Sequence, residues 1–223
     1  MLKTMTKDQL NIIEATSNYV QQELAFAEGG HDWWHIYRVW KSASKMALEE
    51  GADEFIVQIA ALLHDIADSK FHEGDENIGP EKATTFLKEM KLDTSSINHI
   101  EAIIRNMSFK NTFDSNSFNS IELDVVRDAD RLDAIGAIGI ARTFNYGGHK
   151  GSEIYNPKIK PKMNMTKDEY KTSDAPTINH FYEKLFLLKN MMTTITGKRL
   201  AEGRHKFMEI YLEQFYGEWD GRV

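Results

Sequence analysis

Apolar residues recur along this chain at intervals of three and four, and the elements they predict are helices throughout. Leu10, Ile13, Val20 and Leu24 fall near a 3.6-residue period behind Thr6, a hydroxyl suited to cap a first helix. Gly29-Gly30 ends that pattern. Asp32 caps a second helix, from Trp33 to about Glu50, which Gly51 stops. Asp53 begins a third, running into the stretch AALLHDIADSK at 60–70. A loop rich in Gly, Asp and Glu leads to Pro80, and helices follow near 80–91 and 95–108. FKNTFDSNSFNS, residues 109–120, reads as a polar surface loop, and residues 121–148 as two consecutive helices. Gly151, Pro157 and Pro161 make 149–172 a loop, ordered or mobile, before helical spacing returns over 175–196 and 197–217. No β-alternation of useful length and no internal repeat appears. With only four prolines in the chain, long stretches are free to be helical, and the expectation is one nearly all-helical domain.

Composition narrows the chemistry more than the fold. The chain has 223 residues, 41% of them hydrophobic, enough for a substantial core. A net charge of −7 argues against a general nucleic-acid binder and against attachment to anionic membrane. There is no cysteine, so any metal must be held by His, Asp or Glu, and the usage agrees with a reducing compartment. No apolar run approaches a membrane span and MLKTMTKDQL lacks a signal-peptide core, so a soluble cytoplasmic protein is expected.

Three stretches carry polar groups where the pattern expects apolar ones. In AALLHDIADSK, Ala60, Ala61, Leu62, Leu63 and Ile66 predict a buried helix, yet His64, Asp65 and Asp68 share it. His64 and Asp68 are four apart and Asp65 and Asp68 three apart, so on a helix they crowd one side. In DWWHIYRVW, residues 32–40, His35 lies early in a helix with Arg38 three residues on. In VVRDADRLDAIGAIG, Asp128, Asp130 and Asp133 interrupt an apolar helix, which is costly unless they are paired or bound to a cation. The His-Asp dipeptide itself occurs twice, at 31–32 and 64–65, and by itself decides nothing.

The order His35, His64-Asp65, then Asp130 in an ADRL context resembles the HD-domain superfamily of metal-dependent phosphohydrolases. HDWWHIYRV, AALLHDIADSKF, DADRLDAIGAIGIARTF and TINHFYEKLFLLK look like a bacterial subgroup of small single-domain HD proteins, and the resemblance covers essentially the whole chain. It implies an all-α, single-domain HD bundle over 1–223, with a metal-site core at about 30–135 and C-terminal helices at 175–217 packing onto it. It also implies His35, His64, Asp65 and Asp130 as metal ligands. Two imidazoles and two carboxylates suit a divalent ion such as Mn, Mg, Co, Ni, Zn or Fe, which would activate water for attack on phosphorus. Asp68 is the candidate to orient or deprotonate that water.

Binuclear members, by the superfamily pattern, add histidines between the His-Asp pair and the last Asp. INHIEAIIRNMSFKN, residues 97–111, holds only His99, and His72 lies in a loop, so one metal ion is expected. The implied activity is hydrolysis of a phosphate ester of a nucleotide or small phosphorylated metabolite. A non-catalytic nucleotide- or metal-sensing module is the alternative, and a di-iron oxygenase would need more histidines than these.

Further candidates are open to plainer readings. His31 suits the rim of a substrate site or plain surface, and Arg38 and Arg131 suit phosphate contacts or ordinary ion pairs. Asp133 can orient a ligand or pair with a nearby arginine. His180 and Lys184, four apart in TINHFYEKL, suit phosphate contacts or a core histidine beside a surface lysine. Lys158, Lys160, Lys162, Lys167 and Lys171 make the 149–172 loop a candidate lid over an anion, or simply a solvated loop. Phe207, Met208, Tyr211, Leu212 and Phe215 fall on one amphipathic face, for core packing or a homodimer contact.

Overall fold

The structure, a computed structural model, describes residues 5–25, 32–67, 75, 77–107, 118–166, 169 and 173–223. Helices make up its regular structure, with no strand among the described residues, and it divides into two compact units, Met1–Ala129 and Asp130–Val223. The all-α expectation is met.

In the first unit, α1 (Lys7–Glu23) starts at Thr6, whose hydroxyl accepts from the Gln9 backbone while the Gln9 side chain accepts from the Thr6 N–H. The next helix, α2 (Trp33–Glu50), begins at Asp32, which accepts from the His35 N–H at 2.9 Å, and ends at Gly51 with φ of 71°. A left-handed residue there lets the chain double back at once. Asp53 caps α3 (Glu54–Leu63) through the Phe55 and Ile56 N–H groups. Every residue of α3 from Phe55 to Leu63 is buried, because α1, α2 and α5 (Thr94–Arg105) all pack on it. A helix apolar on all sides is a central helix. Between them lies α4 (Ile78–Glu89), which packs on α5 and carries Pro80 in its first turn, where no intrahelical donor is lost.

The predicted pair at 121–148 is α6 (Ile121–Asp133) and α7 (Gly136–Lys150). Glu122, at the start of α6, accepts from the Asp53 N–H at 3.1 Å, so α6 starts beside the start of α3. The break after α6 depends on Gly136, whose φ is 77° and whose missing Cβ leaves room for Arg204. Arg204, from the last helix α8 (Ile195–Trp219), reaches past it to donate to the Leu132 carbonyl at the C-terminal end of α6. Cationic donors are favoured at that end of a helix.

In the second unit, the helix expected over 175–196 is shorter and irregular. Pro176 and the backbone bonds Thr177 N–H to Glu153 O (2.8 Å) and Ile178 N–H to Ile154 O (3.0 Å) draw its start into a loop contact. Two α-helical residues, 179–180, lead into a π-helix, Phe181–Leu185, then one α turn, Phe186–Leu188, and a 3₁₀ turn, Lys189–Met191. The 149–166 stretch is ordered. Besides those bonds, Asn179 Nδ2 donates to Ile159 O and the Lys162 N–H to Glu183. Lys158 and Lys160 are exposed on it; Lys167 and Lys171 lie outside the described residues.

Phe207 departs from the face proposed for α8. Met208 and Leu212 are buried, whereas Phe207 is exposed, since one residue turns the helix by about 100°. Among the described residues, no helix is long and apolar enough to cross a membrane.

Close backbone approach sets one stability test. A Cβ on Gly147 of α7 would lie 2.3 Å from Oγ1 of buried Thr177. Gly147→Ala should therefore lower the unfolding free energy by about 1–3 kcal/mol, less the gain of up to about 1 kcal/mol from better helix propensity. An unchanged or higher urea midpoint would show that Thr177 swings aside freely.

Candidate metal centre

The α2–α3 hairpin brings the first turn of α2 beside the end of α3. His35 is 2% exposed, and its ring meets that of His64 at 5.5 Å and 63°. His64 is the C-cap of α3 rather than an interior residue, and Asp65 lies beyond the helix, half-buried. The i,i+4 relation expected between His64 and Asp68 therefore has no helix to carry it within the described residues, and Asp68, His31 and His72 lie outside them. Asp130 sits in the last turn of α6, the helix whose first turn lies beside the start of α3. One ligand atom each from His35, His64 and Asp130 gathers within 4.8 Å of the others, a group able to hold a metal ion. Asp65 is not among these three.

The ring of His64 is set for coordination by backbone geometry. Its Nδ1 lies 2.8 Å from the Ala61 carbonyl oxygen. In a neutral ring Nδ1 then carries the proton and donates, which leaves the lone pair on Nε2, and that atom is buried. An imidazole fixed in this way through its second nitrogen is how metal-binding histidines are oriented. With His35 and a carboxylate beside it, the donor set fits a borderline or hard divalent cation.

His99 belongs elsewhere. Its Nε2 lies 3.2 Å from Ser120 Oγ and 3.5 Å from Glu122, at the first turn of α6. Eight residues separate Glu122 from Asp130, about 12 Å along a helix. His99 therefore stands at the other end of α6 from the three gathered side chains.

Three arginines steady the last turn of α6. Arg131 donates to the Met191 carbonyl, Arg142 pairs with buried Asp133, and Arg204 donates to Leu132 O. Asp133 thus has Arg142 as partner, from nine residues on, and Arg204 also feels its charge. One turn earlier, Arg127 is buried with Nη2 on the Asn106 carbonyl at 2.8 Å. Arg142 and Arg204 carry no local mark in the sequence, because their partners are a residue on another helix and a backbone carbonyl, whereas Arg127 also lies 3.8 Å from Asp124 on its own helix.

His180 caps the π-helix that carries Lys184. Burial, with the nearby Lys184 charge, lowers its pKa to about 4 from an ordinary 6.5. The unfolded chain then binds the proton more readily between those values, so the stabilising term is complete above pH 6.5 and lost as pH falls through about 4. Its size is roughly 3 kcal/mol. His180→Gln should flatten that part of the acid limb in a stability-against-pH series; an identical limb in both proteins would show that His180 does not contribute.

The HD domain family matches residues 33–135. A solved HD-superfamily hydrolase from Bacillus thuringiensis is 42% identical, with 95% of this chain and 98% of that one covered at a TM-score of 0.78. The YpgQ protein of Bacillus subtilis is 35% identical over 207 residues, 92% of this chain and 93% of its own. YpgQ has also been solved in complex with ADP, and that structure superposes with a TM-score of 0.73 over 95% of this chain and 96% of that one.

Proposed function

This chain belongs to the HD-domain superfamily, and on that premise we propose that it is a metal-dependent phosphohydrolase acting on a phosphate ester of a nucleotide. The observation that carries the reading is the gathering of His35, His64 and Asp130 ligand atoms within 4.8 Å. Asp65, next to His64 in the chain, is proposed as the fourth ligand of a single divalent ion. Such an ion would acidify a water molecule and take up charge from the phosphoryl oxygens. The chain's own part is to hold the site in place. The Ala61 carbonyl orients the His64 ring, and Arg131 and Arg204 tie the last turn of α6, which carries Asp130, to Met191 O and to α8.

Arg38, half-buried one turn beyond His35, is proposed as a phosphate contact. Asp68 is proposed to orient or deprotonate the attacking water. His31, Arg131, His180 and Lys184 complete the proposed substrate contacts. Among them, His180 would act as a neutral hydrogen-bonding group, since burial keeps it uncharged near neutral pH. The nucleotide assignment is supported by the ADP complex of YpgQ.

The test is phosphate release from nucleoside mono-, di- and triphosphates by chelator-treated protein, before and after reloading with Mn, Mg, Co, Ni, Zn or Fe. Hydrolysis that appears only on reloading is expected. A rate indifferent to chelation and reloading, or no release with any metal, would end the proposal.

A further inference from the structure

Around α2, the side chains divide into two sectors that meet at His35. At about 100° per residue, Val39, Ala43, Ile36 and Ala47 lie on one side of it, within a sector of about 120°. All four are buried. In the opposite sense come Arg38 at about 60°, Trp34 at about 100° and Tyr37 at about 160°. Exposure rises along that second arc, from buried His35 through half-buried Arg38 to Trp34, which is 60% exposed.

The exposed indole is held rather than loose. Trp34 meets Tyr37 at 5.8 Å and 77°, and Tyr37 is braced by Trp33 at 6.1 Å, Trp40 at 6.2 Å and the Lys41 ammonium at 5.4 Å. Trp40 in turn donates to Gln58 of α3 at 2.9 Å. A row of contacts therefore runs from the central helix to Trp34, and its exposure leaves indole surface open to a planar partner.

We propose that Trp34, supported by Tyr37, is the stacking platform for the base of the nucleotide whose phosphate lies at His35 and Arg38. This rests on the nucleotide phosphohydrolase reading above and deepens it. Side-chain tips about 100° apart on a helix are about 8–9 Å apart, a gap that a ribose and its phosphate bridge. Stacking is indifferent to base identity, so the platform would accept purines and pyrimidines and exclude only substrates with no base.

The experiment measures binding to the metal-loaded protein of two ligands that resist hydrolysis: the methylene analogue of ADP and methylenediphosphonate, which has no base. Trp34→Ala should weaken the ADP analogue roughly 5- to 150-fold and leave methylenediphosphonate alone. Trp34→Phe should restore most of the loss, and Leu48→Ala, an exposed apolar change at the far end of α2, should do nothing. Equal weakening of both ligands, or of neither, would overturn the platform. In either case, wild-type protein that still binds methylenediphosphonate in a metal-dependent way leaves the phosphohydrolase reading standing. Wild-type protein that binds neither ligand would overturn both.

Discussion

His64→Ala is expected to yield a folded protein that no longer retains a divalent ion and no longer hydrolyses phosphate esters. His64 stands at the end of α3, half-buried, and outside the apolar run that fills the core. Its removal costs the Nδ1 bond to Ala61 O, about 1 kcal/mol, which a domain of ordinary stability tolerates. The loss at the metal is far larger. Disturbing a group that merely orients a ligand costs about 10- to 100-fold in affinity or activity, and removing a ligand should exceed that.

Elemental analysis should find about one ion per chain in the wild type and essentially none in the variant. Thermal stability gives a reading that needs no substrate. A divalent ion at about a hundred times its Kd stabilises the native state by about 2.7 kcal/mol, so added metal should raise the wild-type Tm and leave the variant's unchanged. Asp130→Ala and His35→Ala should behave alike at the metal, with His35→Ala also less stable because that ring is buried. Retention of a full equivalent of metal by His64→Ala would remove His64 from the ligand set. Two ions in the wild type would refute the single-ion proposal.

Phe181→Ala should produce the largest loss of stability of any single change considered, about 3–5 kcal/mol. Phe181 is fully buried at the start of the π-helix, stacked on Tyr211 of α8 at 6.0 Å and 7°. Phe144 of α7 and Phe186 also meet it edge-on or tilted, at 6.2 and 6.4 Å. It joins the π segment to α7 and α8, and truncation leaves an aromatic-sized void that no single neighbour can fill. Urea unfolding followed by circular dichroism would measure the change, with Phe181→Leu expected to recover much of it. A loss below about 1 kcal/mol would show that the aromatic cluster closes over the gap.

The helical class, most helix starts and stops, and the three gathered side chains were already legible in the linear order of residues. Thr6, Asp32 and Asp53 cap where a short polar side chain can reach a free N–H, and Gly51 ends α2 where only glycine turns left-handed at no cost. These are local effects, written within four residues of one another. His35, His64 and Asp130 were legible through the resemblance to the HD superfamily, which also implied Asp65; the apolar pattern marked them, with Asp128 and Asp133, only as polar groups in need of compensation.

The rest depended on groups far apart in the chain. The gathering of His35, His64 and Asp130 joins residues up to 95 positions apart, and the Asp53–Glu122 bond spans 69. The Ala61 carbonyl, identical in kind to every other carbonyl, decides which His64 nitrogen keeps its lone pair. Backbone bonds from Thr177 and Ile178 override a helical period at 175–178, and the partners of Asp133 and His99 lie on other elements. Periodicity and capping are properties of neighbouring residues, whereas coordination, ion pairing and desolvation depend on distances that only the packed chain defines.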